Sequence, residues 1–344
     1  MATMTVMEIA KLAGVSMATV SRVMNDSPRV APAVAKTVRD AMQRAGYEAR
    51  TRRTPKRDSR THLRTGNILL LVCGHPIDRI AGYPALLRGI ENALRDNRLK
   101  LVLASFENPS TLPIALDANQ VDGVLLFGRP ESITPAVWDK MKRMAAIGML
   151  RGFDECHQRI DCVIYDNASV GPLAARYLIE RGHQRLAFFN SDPSHPAMIA
   201  RLHDFKMAAA ETGAQVVPFV SSIRPEDVRQ ETAVYQSLTD RLLAESPRIP
   251  AIFVAADYQA PWLYASLEAR GVSPAEFDII CCDKTPLFLD RLVPRPASID
   301  INLELVGYNA VQQLLWRLSH PKVINRIKTF IEPVLVPGEE RISA

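Results

Sequence analysis

From Gly66 on, the chain alternates strand-sized apolar runs with segments of helical length, and no other feature restricts its fold as much. Candidate strands occupy 67–73, 100–105, 123–127, 145–149, 161–165, 186–190, 216–220, 251–255, 278–282 and 298–301. Candidate helices between them occupy roughly 83–97, 135–144, 169–182, 197–212, 232–245, 259–270 and 303–319. Runs such as Leu186-Ala187-Phe188-Phe189 and Ile279-Ile280-Cys281-Cys282 are apolar at every position. Strands covered on both faces of a parallel sheet have this composition. Alternating βα units over roughly 270 residues predict two doubly wound lobes with a ligand site at the carboxyl ends of the strands.

The first 66 residues follow another pattern. They hold 13 Lys/Arg against 5 Asp/Glu, whereas the rest of the 344-residue chain holds 29 against 32. A small basic head on a mildly acidic body is the electrostatic outline of a nucleic-acid binder with a second function. A chain that is 47% hydrophobic and 23% charged is neither disordered nor fibrous as a whole. Apolar runs such as Ile68–Cys73 are far shorter than a bilayer span. Glu8 and Lys11 interrupt the first apolar residues, so no secretory signal is read and a cytoplasmic protein without membrane partners is expected.

The five cysteines (Cys73, Cys156, Cys162, Cys281, Cys282) form no CxxC pair, and only Cys156-His157 begins to resemble a ligand pair. Reduced thiols and no metal are expected. GxxxxGK[ST], GxSxG and HExxH are all missing from the sequence, which leaves phosphate-loop, hydrolase and zincin chemistry unsupported. The reading is therefore not an enzyme, and no cofactor is called for.

The head reads as three short helices. Thr5 with Glu8 three residues on forms a capping-box pattern, and Gly14 ends the first helix. Ser16 caps a second helix that runs to about Met24, before the turn residues Asn25-Asp26-Ser27-Pro28. A third runs from about Ala33 to Ala45. Ala10, Gly14 and Val20 have helix-turn-helix spacing: a small residue for close approach, a turn, and an apolar residue beneath the second helix. That helix then presents Met17, Ala18, Thr19, Ser21 and Arg22 outward, its N-terminal end toward base edges. A generic helical hairpin with a glycine turn shares part of this pattern; the basic balance and the Ser16 cap favour the DNA-binding reading.

The run Ala13-Gly14-Val15-Ser16-Met17-Ala18-Thr19-Val20-Ser21-Arg22-Val23-Met24-Asn25 resembles the headpiece signature of lactose-repressor-type (LacI/GalR) transcription regulators, and Gly46-Tyr47 sits where that family places it. The resemblance implies that Met17, Ala18 and Arg22 face bases and that Thr19 and Ser21 face phosphates, with Thr5, Ser16 and Asn25 in the DNA-contacting set. Arg22 is the candidate guanine reader, through a bidentate contact worth about 1–3 kcal/mol of discrimination.

Residues 50–64 carry seven cations and one anion. A solvated tether or contact with phosphate and minor groove accounts for such a run; its place beside the head favours contact, with Arg52 and Arg53 taking part. The family usually continues after Gly-Tyr with Pro-Asn and a hinge helix whose leucine wedges into the minor groove. Here Glu48-Ala49 stands in that place, Pro55 interrupts a helix, and the first leucine of the linker is Leu63. An extended, phosphate-tracking linker is expected instead.

The body also resembles this family. Asp166-Asn167, Ala174-Ala175 and Gly182-His183-Gln184-Arg185 match the start of its second lobe, Val254-Ala255-Ala256-Asp257 and Ile280-Cys281-Cys282-Asp283 its later strand ends, and Ser298–Asn302 its return crossing. The implied fold is a small all-α helix-turn-helix headpiece joined to an α/β two-lobed body like a type I periplasmic binding protein. The implied division is a headpiece at 1–49, a basic linker at 50–66 and an effector-binding and dimerisation domain at 67–344. Within it the N-lobe takes about 67–165 and 299–326, the C-lobe about 166–298 and 327–344.

Arg201 and Asp283 match the family's effector-binding arginine and aspartate, although a structural ion pair is the plainer alternative. Asp257, Tyr258 and Tyr83 join them as candidates; for the two tyrosines, and for Trp262, stacking on a ligand and packing are equally open. Ala256 and Ile301 stand where the family often has polar residues, which implies either a pocket less polar than a sugar site or a vestigial one. The function implied is a sequence-specific regulator, read as a repressor, whose operator affinity responds to a sugar-like effector. Its partners are double-stranded operator DNA, that effector and a second copy in a homodimer. A sugar-binding transport protein and an α/β enzyme with an accessory head are the alternatives; the basic head speaks against the first, and no nucleophile–base constellation supports the second.

Overall fold

A computed structural model describes residues 6–24, 30–45, 63–73, 82–106, 116, 120–128, 133–141, 144–150, 160–223 and 228–339. Thr5, Asn25, Gly46-Tyr47, Arg52, Arg53, Cys156 and His157 lie outside them, as does the linker before Leu63. The chain divides into two compact units, Met1–Thr61 and His62–Ala344.

The first unit holds α1 (Val6–Ala13), α2 (Met17–Met24) and α3 (Pro32–Arg44). Ile9, Ala10, Val20, Val23 and Val38 form its core, so the residues of the helix-turn-helix pattern are the ones that meet inside. Gly14 takes φ +66°, and Val15 N–H closes the turn onto Ala10 O at 3.0 Å. The Ser16 hydroxyl accepts the Thr19 N–H at 3.1 Å, as its capping role predicts.

Among the described residues the second unit holds two six-stranded sheets. The first is built on β1 (Asn67–Cys73), β2 (Lys100–Phe106), β3 (Gly123–Gly128), β4 (Ala145–Met149) and β5 (Asp161–Tyr165), with α4 (Tyr83–Asp96) and α5 (Pro135–Met141) between strands. The chain then builds the second lobe from α6 (Val170–Ile179), β6 (Arg185–Asn190), α7 (Pro196–Glu211), β7 (Gln215–Val220), α8 (Val228–Leu243) and β8 (Ala251–Val254). It continues with α9 (Ala260–Glu268), β9 (Asp278–Cys282), the single turn α10 (Pro286–Leu289) and β10 (Ala297–Asp300). Last come α11 (Leu303–Ser319), β11 (Lys328–Ile331) and β12 (Val334–Val336).

Strand order is β11-β5-β4-β3-β1-β2 in one sheet and β12-β10-β9-β8-β6-β7 in the other. Pairing is parallel throughout except between β10 and β12. In each lobe the first strand lies between the next two, so the connections leave it on opposite sides and open a crevice at the strands' carboxyl ends. Pro218 falls in β7, an edge strand, where a missing N–H is tolerated. Among the described residues no helix is long and apolar enough to cross a membrane.

The division of the C-terminal segment differs from the sequence reading. β10 stays with the second sheet up to Asp300, α11 crosses to the first lobe, β11 adds to β5 there, and only β12 returns to the second sheet. Residues 328–331 therefore belong to the N-lobe, not to the C-lobe. The reason is that β11 is an edge strand with Lys328 and Phe330 exposed, so its pattern carries little apolar signal for either sheet.

α4 and α11 pack backbone to backbone on the first lobe. A Cβ at Gly89 would meet Glu304 O, and one at Gly307 would meet Leu86 O. Gly307→Ala or Gly89→Ala is expected to cost about 1–3 kcal/mol through forced separation of these helices. A lower thermal midpoint by circular dichroism, with an unchanged far-ultraviolet spectrum below the transition, checks this.

Candidate functional site

Two surfaces carry chemistry, one in each unit. On α2, Met17, Ala18, Ser21 and Arg22 are exposed, while Val20 and Val23 on the other side are buried. Positions i, i+1, i+4 and i+5 share one helical face, so these four side chains form one continuous outward surface. Thr19 is half-buried, and its hydroxyl lies 2.9 Å from that of Ser16. Those two hydroxyls sit at the N-terminus of α2, where unpaired N–H groups and the helix dipole favour anions.

In the body, α7 delivers Arg201 to the carboxyl ends of the second sheet. Arg201 is buried, and every arm of its fork is used. Nε donates to Asn167 Oδ1 at 3.0 Å, and Nη1 donates to the Ala255 carbonyl at 2.6 Å. Nη2 donates to Asp283 Oδ1 at 3.1 Å and to the Tyr165 hydroxyl at 3.4 Å. Asn167 in turn donates to the Ala197 carbonyl at 3.1 Å, near the start of α7. The structure thus brings Arg201 and Asp283 together, but only Asp283 keeps an open edge, with 24% of its side chain exposed. Burial raises the Asp283 carboxyl above the usual range, and Arg201 opposes that shift.

The backbone that presents Asp283 is unusual: Asp283 has φ +111° and Lys284 φ +51°. Four contacts hold it. The Asp283 N–H donates to Ile299 O at 2.9 Å, and the Lys284 N–H donates to Ser298 Oγ at 3.1 Å. The Thr285 N–H donates to Asp257 Oδ2 at 2.5 Å, and Ser298 Oγ–H donates to Asp257 Oδ1 at 3.0 Å. Asp257 is 0% exposed, so it supports the loop from behind rather than facing a ligand. Burial, with the nearby Asp283 charge, pushes its carboxyl well above the ordinary range.

The remaining candidates separate. Tyr258 is half-buried, its hydroxyl accepting from Gln259 Nε2 at 3.3 Å, and burial pushes its phenol up to about 12. Tyr83 is buried against Phe127, ring centroids 6.1 Å apart, and so packs in the first lobe. Trp262 stacks on Tyr235 at 5.6 Å, which is packing too. Tyr165, Asn190 and Gln259 escaped the sequence reading, and Asn167 and Ser298 entered it only as part of the resemblance, with no role at the site. Gln259 accepts the Ser191 N–H at 3.0 Å and donates to Asn190 Oδ1 at 3.1 Å, joining the ends of β6 and β8. Asn190 ends a fully apolar run, and that position was the available signal.

Cys73, Cys162, Cys281 and Cys282 are buried free thiols, and burial raises that of Cys73 to about 12. Among the described residues no group of three or more His, Cys, Asp or Glu could hold a metal ion.

Residues 5–49 match the lacI family of bacterial regulatory proteins, and residues 175–339 match the periplasmic binding protein-like domain. Catabolite control protein A of Priestia megaterium is 28% identical over 289 residues, covering 82% of this chain and 83% of its own length. The structure of a transcriptional regulator CelR–cellobiose complex superposes with a TM-score of 0.63 at 24% identity, covering 98% of this chain and 99% of that one. The lac repressor dimer bound to operator and the anti-inducer ONPF gives 0.67 at 18% identity, covering 99% and 100%.

If Asp257 is a support, its removal is felt in folding. Asp257→Ala leaves Thr285 N–H and Ser298 Oγ–H unpaired and is expected to cost about 1–3 kcal/mol, more than Ser298→Ala. Urea unfolding of the two variants beside the wild type measures the difference.

Proposed function

The chain belongs to the lactose-repressor-type (LacI/GalR) family of bacterial transcription regulators, and from that premise we propose a cytoplasmic homodimeric regulator whose operator affinity is set by a sugar-like effector in the interlobe crevice. Residues 1–49 serve as the DNA-binding headpiece, 50–66 as a linker, and 67–344 as the effector and dimerisation domain. It acts by binding rather than by turnover: the curated relatives are regulators, and of the Arg201–Asp283 pair only the carboxylate keeps an open edge.

One observation carries the effector half of this reading. Asp283 is held in a left-handed conformation at the strand ends, partly open, with a buried guanidinium behind it. A carboxylate fixed in this way accepts from vicinal hydroxyls, and Arg201 keeps it oriented. A sugar with paired hydroxyls suits it, and the CelR structure holds cellobiose. For the DNA half, a headpiece with four outward side chains on one helix makes few contacts. Useful affinity then needs two heads on one dimer, reading half-sites about one helical turn apart. The linker cations add phosphate contacts, each steepening the salt dependence.

Two substitutions test the two halves. Arg22→Ala is expected to lose about 1–3 kcal/mol of discrimination at one base pair per half-site, with random-sequence DNA bound almost as before. Fluorescence anisotropy on operator and random duplexes checks this; equal losses on both would overturn the base-reading role. For the crevice, mono- and disaccharides including cellobiose are screened by thermal shift on the wild type. The sugar that raises the midpoint is expected to have no effect on Asp283→Ala, whose sugar-free operator affinity stays near the wild-type value.

A further inference from the structure

The linker ends in a cage of hydrogen bonds. Arg64 N–H donates to Asp122 Oδ1 at 2.6 Å, Thr65 N–H lies 3.0 and 3.1 Å from the two carboxylate oxygens, and Gly66 N–H donates to Oδ2 at 2.6 Å. The Thr65 hydroxyl adds a fourth donor at 3.1 Å. Successive N–H groups turned onto one anion form a nest, and Gly66 supplies the left-handed residue it needs at φ +75°. The cage is tied to its surroundings as well. Asn67 Nδ2 donates to Gln120 O at 3.0 Å, Asp122 N–H to Asn67 O at 2.8 Å, and Lys100 N–H to Gly66 O at 2.9 Å.

Asp122 immediately precedes β3, and the next residue, Gly123, lies under Leu314 of α11. α11 starts at the lobe crossing, where Asn302 caps it by accepting the Leu305 N–H at 3.1 Å. Two residues earlier, Asp300 Oδ2 takes the Lys284 ammonium at 2.9 Å, beside Asp283. A continuous run of packed and bonded groups therefore joins the crevice to the last residues of the linker.

From this we infer that Asp122 is a positioning residue for operator binding: its carboxylate clamps residues 64–66 so that the body dictates where each linker departs, and hence which half-site spacing the dimer accepts. The inference rests on the regulator reading above. A tether free at this point would let each head search independently, and the body would supply only proximity. Apart from the Thr65 hydroxyl the donors are backbone groups, so most of the clamp is independent of the linker's side chains.

The test uses the full-length chain and an operator duplex that the wild type selects from a randomised pool. That duplex is remade with one or two base pairs added or removed between half-sites. The wild type is expected to lose roughly tenfold or more in affinity when the spacing is altered, and Asp122→Ala less than about threefold. Gly66→Ala attacks the same cage from the linker side, because a side chain there strains the left-handed residue while meeting no neighbouring atom within 4 Å. It should flatten the spacing profile in the same way, and it decides alone if Asp122→Ala does not fold. Variants that keep the wild-type spacing profile, or lose affinity equally at every spacing, overturn the clamp and leave the regulator reading intact. A wild type that enriches no sequence overturns that reading and the clamp's role with it.

Discussion

A buried guanidinium organises the body. Arginine does not shed its proton, and an unpaired charge inside a protein is prohibitively costly, so Arg201 has to be met by acceptors on several sides. Asn167 before α6, the carbonyl after β8, the tyrosine that ends β5 and the aspartate that follows β9 all converge on it. Three stretches of chain, one of them the end of the first lobe's β5 with the residues that follow it, are thereby fixed to a single planar group. The left-handed Asp283 is tolerable because this charge on one side and the Asp257–Ser298 support on the other over-determine it.

The first lobe has a counterpart. Asp161, at the start of β5, accepts Arg317 Nη2 at 2.6 Å and Nε at 2.9 Å, as well as Gln313 Nε2 at 2.8 Å. Arg317 also donates to the carbonyls of Val323 and Asn325, which fixes the end of α11 and the loop leading to β11. Desolvation offsets much of the attraction in a pair buried to this degree, but removing one partner would leave an uncompensated buried charge.

Much of this was legible in the sequence, for physical reasons that differ by residue. The apolar runs of β1, β6 and β9 announce buried parallel strands because they are short, apolar at successive positions and set between helix-length segments. Ser16 and Gly14 show themselves because a cap and a left-handed turn each have few chemical solutions. Asp257 and Asp283 look alike in the sequence, each an acid after an apolar strand; only three-dimensional surroundings reveal that one is sealed and the other open. Arg201 was found through family resemblance, whereas its partners Asn167 and Tyr165 are ordinary residues until the fold assembles them. Asp122 had no signal of its own, since it binds three backbone N–H groups and one hydroxyl more than fifty residues away.

The interleaving of the two sheets bears on how the molecule is made. The second sheet draws on one nearly unbroken stretch, β6 to β10, with only the short β12 added at the end. The first sheet begins at Asn67 yet lacks α11, the helix covering β3, β4 and β5, until the chain has passed Ser319. On the ribosome, the lobe that emerges first therefore waits for its covering helix until most of the second lobe has been made. Until then, the face awaiting α11 is exposed during synthesis, and a truncation before residue 303 would leave that lobe uncovered while the other keeps nearly all of its strands.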